Sequence, residues 1–331
     1  MKLSSHQTAT LSVRRIPLLL GVLALAGCAV LGRKATIFYT MVAAAAAPNG
    51  AYVTIDRAFI ERYKDRVTIS TRFTIDDAMQ SPNPNVMDGD LHIAGRAPEI
   101  ELRVIAEIIN AGSADSAVAL VQRAVSTHQP ITLTGAWRLW PEHTMVPERQ
   151  GRTVAPLTTP NADHIFEVHP VTLIGGINLL QSFHPVEGYR PGNAKRTFDI
   201  YEGADCKLRV HPTSITFETS NWLYNDVHFM MELTGSRQVV VDDGRFVTAS
   251  ARDTDGNLLV EGLRLVFVKG SPPELLVRSL KRGARRHVWG LPRMNFAEIS
   301  RRVAASATDP TVLAGKLPYE IIVLGVYADE Q

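Results

Sequence analysis

ITLTGAWRLWPEH at residues 131–143, followed after a polar loop by NADHIFEVHPVTLI at residues 161–174, holds the two runs on which the fold turns. Each reads as a strand: Ile131, Leu133, Gly135 and Trp137 share one face, which places Trp137 in the core. In the second run Glu167 and His169 share a face. Strand alternation turns His164 to the other side, so His164 is expected to stand apart from them. Both runs end among Trp, His, Glu and Asp residues, where a site is expected.

Outward from this pair, Val67–Ile75, Asp90–Ala94 and Ile100–Ile109 alternate as strands. Ser113–Ser126 carries Ala114, Ala117, Val118, Val121 and Val125 at helical spacing, with Ser113 as its expected N-cap. Three strands, a helix and two strands match a five-stranded barrel of the OB type. The second half is again strand-rich, at 207–210, 214–219, 227–233, 238–241, 246–252 and 258–268, and closes with a strand over Tyr319–Tyr327. Helices are expected over Pro273–Arg282 and Phe296–Ala305. The fold class is therefore mainly β with a few helices (α+β), an OB-like barrel followed by a second β-rich domain. The expected divisions are 1–28 as a signal, 29–50 as a tether, and domains at 51–183 and 194–331. The break is set by Pro185, Gly188, Pro191 and Gly192. The halves suggest distant copies of one unit, without a sharp repeat.

The chain has 331 residues, 45% hydrophobic and 21% charged, with a net charge of +2. This is a globular composition without a global pull toward nucleic acid. Lys2, Arg14 and Arg15 precede an apolar run that ends Leu25-Ala26-Gly27-Cys28. Small side chains before a cysteine suit a signal peptidase, and the thiol can carry a lipid. The run resembles a bacterial lipobox. The resemblance implies an outer-membrane lipoprotein of the cell envelope, anchored through lipidated Cys28, with Ala29 in the position that favours outer-membrane sorting. The apolar run, Ile16–Leu31, falls short of the roughly 20 residues of a span. Cys206 is the remaining thiol, so no intrachain disulfide can form once Cys28 is lipidated.

Gly89, Asp90, His92, Glu107, Ile108, Gly135, His143, Glu167, His169, Pro170 and Val171 form a further pattern. It is similar to a small OB-like domain of secreted bacterial proteins of uncharacterised function, over about 52–174. Trp140-Pro141-Glu142-His143 departs from that pattern, which has an Asp before the His. The resemblance implies secretion and a barrel, and brings no activity.

His92, Glu107, His143, Glu167 and His169 are the candidate metal ligands, since imidazole and carboxylate suit zinc-like ions. No HExxH helix or cysteine pair accompanies them, and no cofactor is otherwise implied. Trp140, His143, Glu167 and His169 are the candidate ligand-binding edge. Two functions follow. The first is an envelope binding or scaffold module that engages a protein or polymer. The rival is a metal-dependent hydrolase, nuclease-like if Asp90, Glu107, Glu167 and Arg138 act on phosphate. No nucleophile elbow or phosphate-binding glycine loop occurs. Asp253, Asp255 and Asn257 surround Gly256 in a run that reads as a hairpin turn rather than a calcium loop. Arg278–Arg302 holds eight basic residues against Glu298 alone. It is expected as a solvated helix face, or as a contact for anionic headgroups.

Overall fold

In the computed structural model, residues 51–331 are described apart from 144–145, 220–222, 236–237, 307–311 and 329–331. The segments expected as signal and tether, with Cys28, lie outside the described residues. Among the described residues no helix is long and apolar enough to cross a membrane.

Five strands close the first barrel: β1 (Thr68–Ala78), β2 (Leu91–Arg96), β3 (Arg103–Ile108), β4 (Ile131–Leu139) and β5 (Phe166–Ile174). Neighbours run β3-β2-β1-β4-β5, and β5 closes on β3 in parallel. That is the OB order, with α2 (Asp115–Thr127) between the third and fourth strands. Its Ala117, Val121 and Ala124 lie at helical spacing and are buried. The N-cap is Ala114, one residue beyond the expected Ser113, whose hydroxyl bonds the Asn110 carbonyl at 2.9 Å instead.

The second barrel repeats this order with β6 (Val227–Leu233), β7 (Gly244–Arg252), β8 (Leu258–Val268), β9 (Arg285–Met294) and β10 (Tyr319–Val326). Neighbours run β6-β9-β10-β8-β7, β7 closes on β6, and β8 with β10 is the parallel pair. Helix α4 (Pro272–Val277) again joins the third and fourth strands. Residues 253–257 form the β7–β8 turn, where the Asp253 carboxylate accepts from the amides of Asp255 and Asn257. The hairpin reading of this run is correct.

Strand β9 corrects the sequence reading of Arg278–Arg302. Much of that segment is a barrel strand rather than a helix face, and Arg293 within it is fully buried. Arg278 pairs with Glu274, Arg285 with Glu232, and Arg301 and Arg302 with Glu298. Helix α5 (Phe296–Ala305) lies where it was expected. Two helices were not read: α1 (Arg57–Tyr63) and α3 (Ala194–Gly203).

The segments expected as domains each hold one barrel, yet they also share a third sheet. Its order is Val312–Lys316, Asp205–Val210, Ser214–Thr219, Ala51–Asp56, Glu148–Arg149, with Val53 opposite Phe217. Between the barrels two buried arginines reciprocate. Arg138 Nε donates to the Pro292 carbonyl at 2.9 Å, and Arg293 Nη1 donates to the Trp137 carbonyl at 3.1 Å. Each arginine also faces a glutamate across its own barrel: Arg138 opposite Glu167, Arg293 opposite Glu320. Trp137 lies in the core as expected. It stacks on Phe296, and the Arg293 guanidinium lies 3.7 Å from its ring centroid.

Candidate functional site

Strand register gathers the site. His92 on β2 faces Glu107 on β3, and Arg138 on β4 faces Glu167 on β5. Glu167 and His169 are two residues apart and share a side. Leu91, Ile93, Ala106, Phe166 and Val168 alternate with these residues and fill the core. Asp90, just before β2, has the same parity as His92. Gly89 delivers it from a turn with φ +73°, where an added Cβ would stand 3.2 Å from both Asn85 and Val186.

His169 is the hub. Its Nδ1 lies 3.2 Å from Glu107 Oε2 and 3.3 Å from Glu167 Oε2, and its Nε2 lies 3.3 Å from Asp90 Oδ2. His92 Nε2 approaches Glu107 Oε2 at 3.5 Å. On the far side of Glu167, Arg138 Nη1 donates at 2.5 Å and His164 Nε2 lies 3.2 Å from Oε1. One donor atom from each of Asp90, Glu107 and His169 lies within 4.8 Å of the others, and so does the set Glu107, His164 and Glu167. Asp90, Glu107, Glu167 and His169 are each at most 4% exposed.

Burial and charge set the protonation states. Burial pushes the Asp90 carboxyl up to about 8, against the pull of His169. Burial would also raise Glu167, but Arg138 and then His164 and His169 hold it well below the usual carboxylate range. Burial opposes the charging of His169, and Glu107, Asp90 and Glu167 overcome it, so that its pKa stands well above the ordinary value.

Four of the five expected metal ligands, His92, Glu107, Glu167 and His169, come together. His143 does not join them: its Nε2 pairs with Glu142 Oε1 at 3.2 Å, its ring stacks on His164, and its side chain is 41% exposed. The expected separation of His164 is wrong. β5 begins at Phe166, so alternation does not reach His164, which lies two residues before the strand and turns its ring back to Glu167. Trp140 does not offer a stacking face. Its ring is buried against Tyr201 and its Nε1 donates to the Tyr224 carbonyl at 3.1 Å.

Asp90 and Arg138, named for the nuclease-like alternative but not among the five expected metal ligands, complete the cluster. The parity of Asp90 with His92 was the available signal for the first. The cross-strand register that brings Arg138 to Glu167 has no local signature. Cys206 is buried and free, and burial pushes its thiol up to about 12, which makes it unreactive. Apart from the covered cluster, a cavity of about 450 Å³ is lined by Tyr189, Arg190, Asn193, His228, Thr254 and Tyr327, among others. Comparison of the chain with models of protein families returned no match, and comparison with curated proteins returned none either.

Proposed function

We propose that the protein is a binding module held at the cell envelope through lipidated Cys28, with the paired barrels as its rigid platform. The observation that supports this over hydrolysis is the covering of the reactive residues: Asp90, Glu107, Glu167 and His169 are buried. A metal hydrolase keeps a coordination position open to its substrate, and a covered cluster gives a substrate no approach. Accessible chemistry lies instead in the cavity beside α3, where Arg190, His228 and Tyr327 offer a cation, an imidazole and a phenol ring. Such a mixture suits a small polar ligand.

The test sets binding against turnover on the full chain. Thermal-shift and calorimetric titrations with a panel of sugar phosphates and nucleotides are expected to find a saturable ligand, lost in Arg190→Glu. Hydrolysis of model esters and phosphodiesters is expected at the buffer rate. Turnover that disappears in Glu167→Gln, with no ligand found, would reverse the assignment. Cys28→Ser is expected to release the protein from the membrane fraction.

A further inference from the structure

Beyond that reading, we infer that the covered cluster of the first barrel binds one divalent cation of the zinc class, held by Asp90, Glu107 and His169. Three independent observations converge on this. The first is geometry: one donor atom from each residue lies within 4.8 Å of the others, brought together from three separate strands and their flanks. The second is a fully buried polar atom without a hydrogen-bond partner, Asp90 Oδ1. Buried polar atoms in proteins are nearly always partnered, so an orphan within such a group of donors marks the place of a missing ligand. His169 is also oriented as a ligand. Its Nδ1 hydrogen-bonds Glu167 Oε2 at 3.3 Å, which holds the proton there, and its Nε2 lies 3.3 Å from Asp90 Oδ2. A carboxylate behind a histidine is the usual support of a metal-bound imidazole. Glu167 supplies that support rather than a ligand, because Arg138 already holds it at 2.5 Å.

The third observation is the second barrel. Arg138 opposite Glu167 matches Arg293 opposite Glu320, and the registers on either side then align strand by strand. By that alignment His92, Glu107 and His169 correspond to Phe246, Val266 and Ile322, which are buried together in one apolar cluster. The same fold therefore closes without charge at these positions. The Arg–Glu pair common to both barrels belongs to the architecture, and the His/carboxylate set of the first barrel is an addition to it.

One imidazole and two carboxylates favour a first-row cation such as zinc. Magnesium, which holds its water and demands octahedral oxygen, suits them less. A divalent ion would balance the two carboxylates and give Asp90 Oδ1 a partner.

The experiment uses the full chain in detergent, stripped with chelator, reloaded with zinc and passed through gel filtration before metal analysis. The expected content is about one zinc per chain, with a thermal midpoint that drops on chelation. Asp90→Asn and His169→Gln are expected to fall to about a tenth of that or less. Should these variants not fold, the combination His92→Phe, Glu107→Val and His169→Ile gives the first barrel the residues of the second. It is expected to keep the fold by circular dichroism and to bind no zinc. Cobalt in the wild type supplies a readout without mutation: the visible spectrum of a mixed nitrogen–oxygen site. A wild type with background zinc and a chelator-insensitive midpoint would overturn the proposal. Full occupancy in folded Asp90→Asn or in the triple variant would do the same, because it would assign the zinc to surface groups such as His143.

Discussion

Arg138 and Arg293 carry full charges into an interior where Arg138 meets Glu167 and Glu142, Arg293 meets Glu320, and both reach carbonyls of the opposite barrel. Removing one partner leaves an uncompensated charge. Arg138→Met is therefore expected to cost about 3–5 kcal/mol in urea unfolding, with most of the loss recovered in Arg138→Met/Glu167→Leu. A loss below about 1 kcal/mol would mean that the pair is hydrated or neutral. His143 behaves differently. Burial opposes its charge, but the Glu142 carboxylate prevails and lifts its pKa to about 9. Because the folded value lies above the ordinary 6.5, its stabilisation is full below about pH 6.5 and lost as pH rises through about 9. The half-exposed side chain keeps this effect small. His143→Gln should flatten the decline of the thermal midpoint between those values. At this scale the sequence was partly legible. Parity alone brings Glu167 and His169 together, because it depends only on adjacent positions. The partnership of Arg138 with Glu167 depends on how two distant strands align, and no residue near Arg138 encodes that.

Elements divided along the same line. Ser214–Thr219, Val227–Leu233, Leu258–Val268 and α5 lie where periodicity puts them, since each pattern is local. Strand β9 was missed for two physical reasons: most of it is buried on both faces, which erases alternation, and Pro292 within it argues against a strand. Ala51–Asp56 takes its partner from Ser214–Thr219, far along the chain. Helix α4 shows how a short element is held. Ser271 caps it, and Glu274 accepts from the Gly270 amide, Arg245 and Arg278. Burial raises the Glu274 carboxyl, yet Arg278, the amide and Arg245 lower it further, to about 2. A depressed acid contributes stability above its unfolded value and loses it as pH falls through the folded one. Wild type should thus lose stability between about pH 4.5 and 2 more steeply than Glu274→Gln, as followed by chemical unfolding.

Across the whole molecule the two barrels are one topology used twice, related through reciprocal arginines. The repeat was faint in the sequence because a barrel strand requires apolar residues in alternation and not particular ones. Gly135 and Gly290, Arg138 and Arg293, and Glu167 and Glu320 are what the copies share. Both glycines lie under the next strand. A Cβ at Gly290 would stand 2.4 Å from Ile321 Cγ2, and one at Gly135 2.5 Å from the Pro170 carbonyl oxygen. Gly135→Ala and Gly290→Ala are each expected to destabilise by about 1–3 kcal/mol in urea unfolding; neutral substitutions would show that the strands can move apart. What distinguishes the copies is the His/carboxylate set, whose proposed role is to hold an ion. Crystals grown with zinc and measured on both sides of the zinc absorption edge answer this directly. The expected result is one anomalous peak within bonding distance of Asp90, Glu107 and His169, at about 2.0–2.2 Å from their donor atoms. Well-ordered side chains in the same arrangement with no peak between them would contradict it.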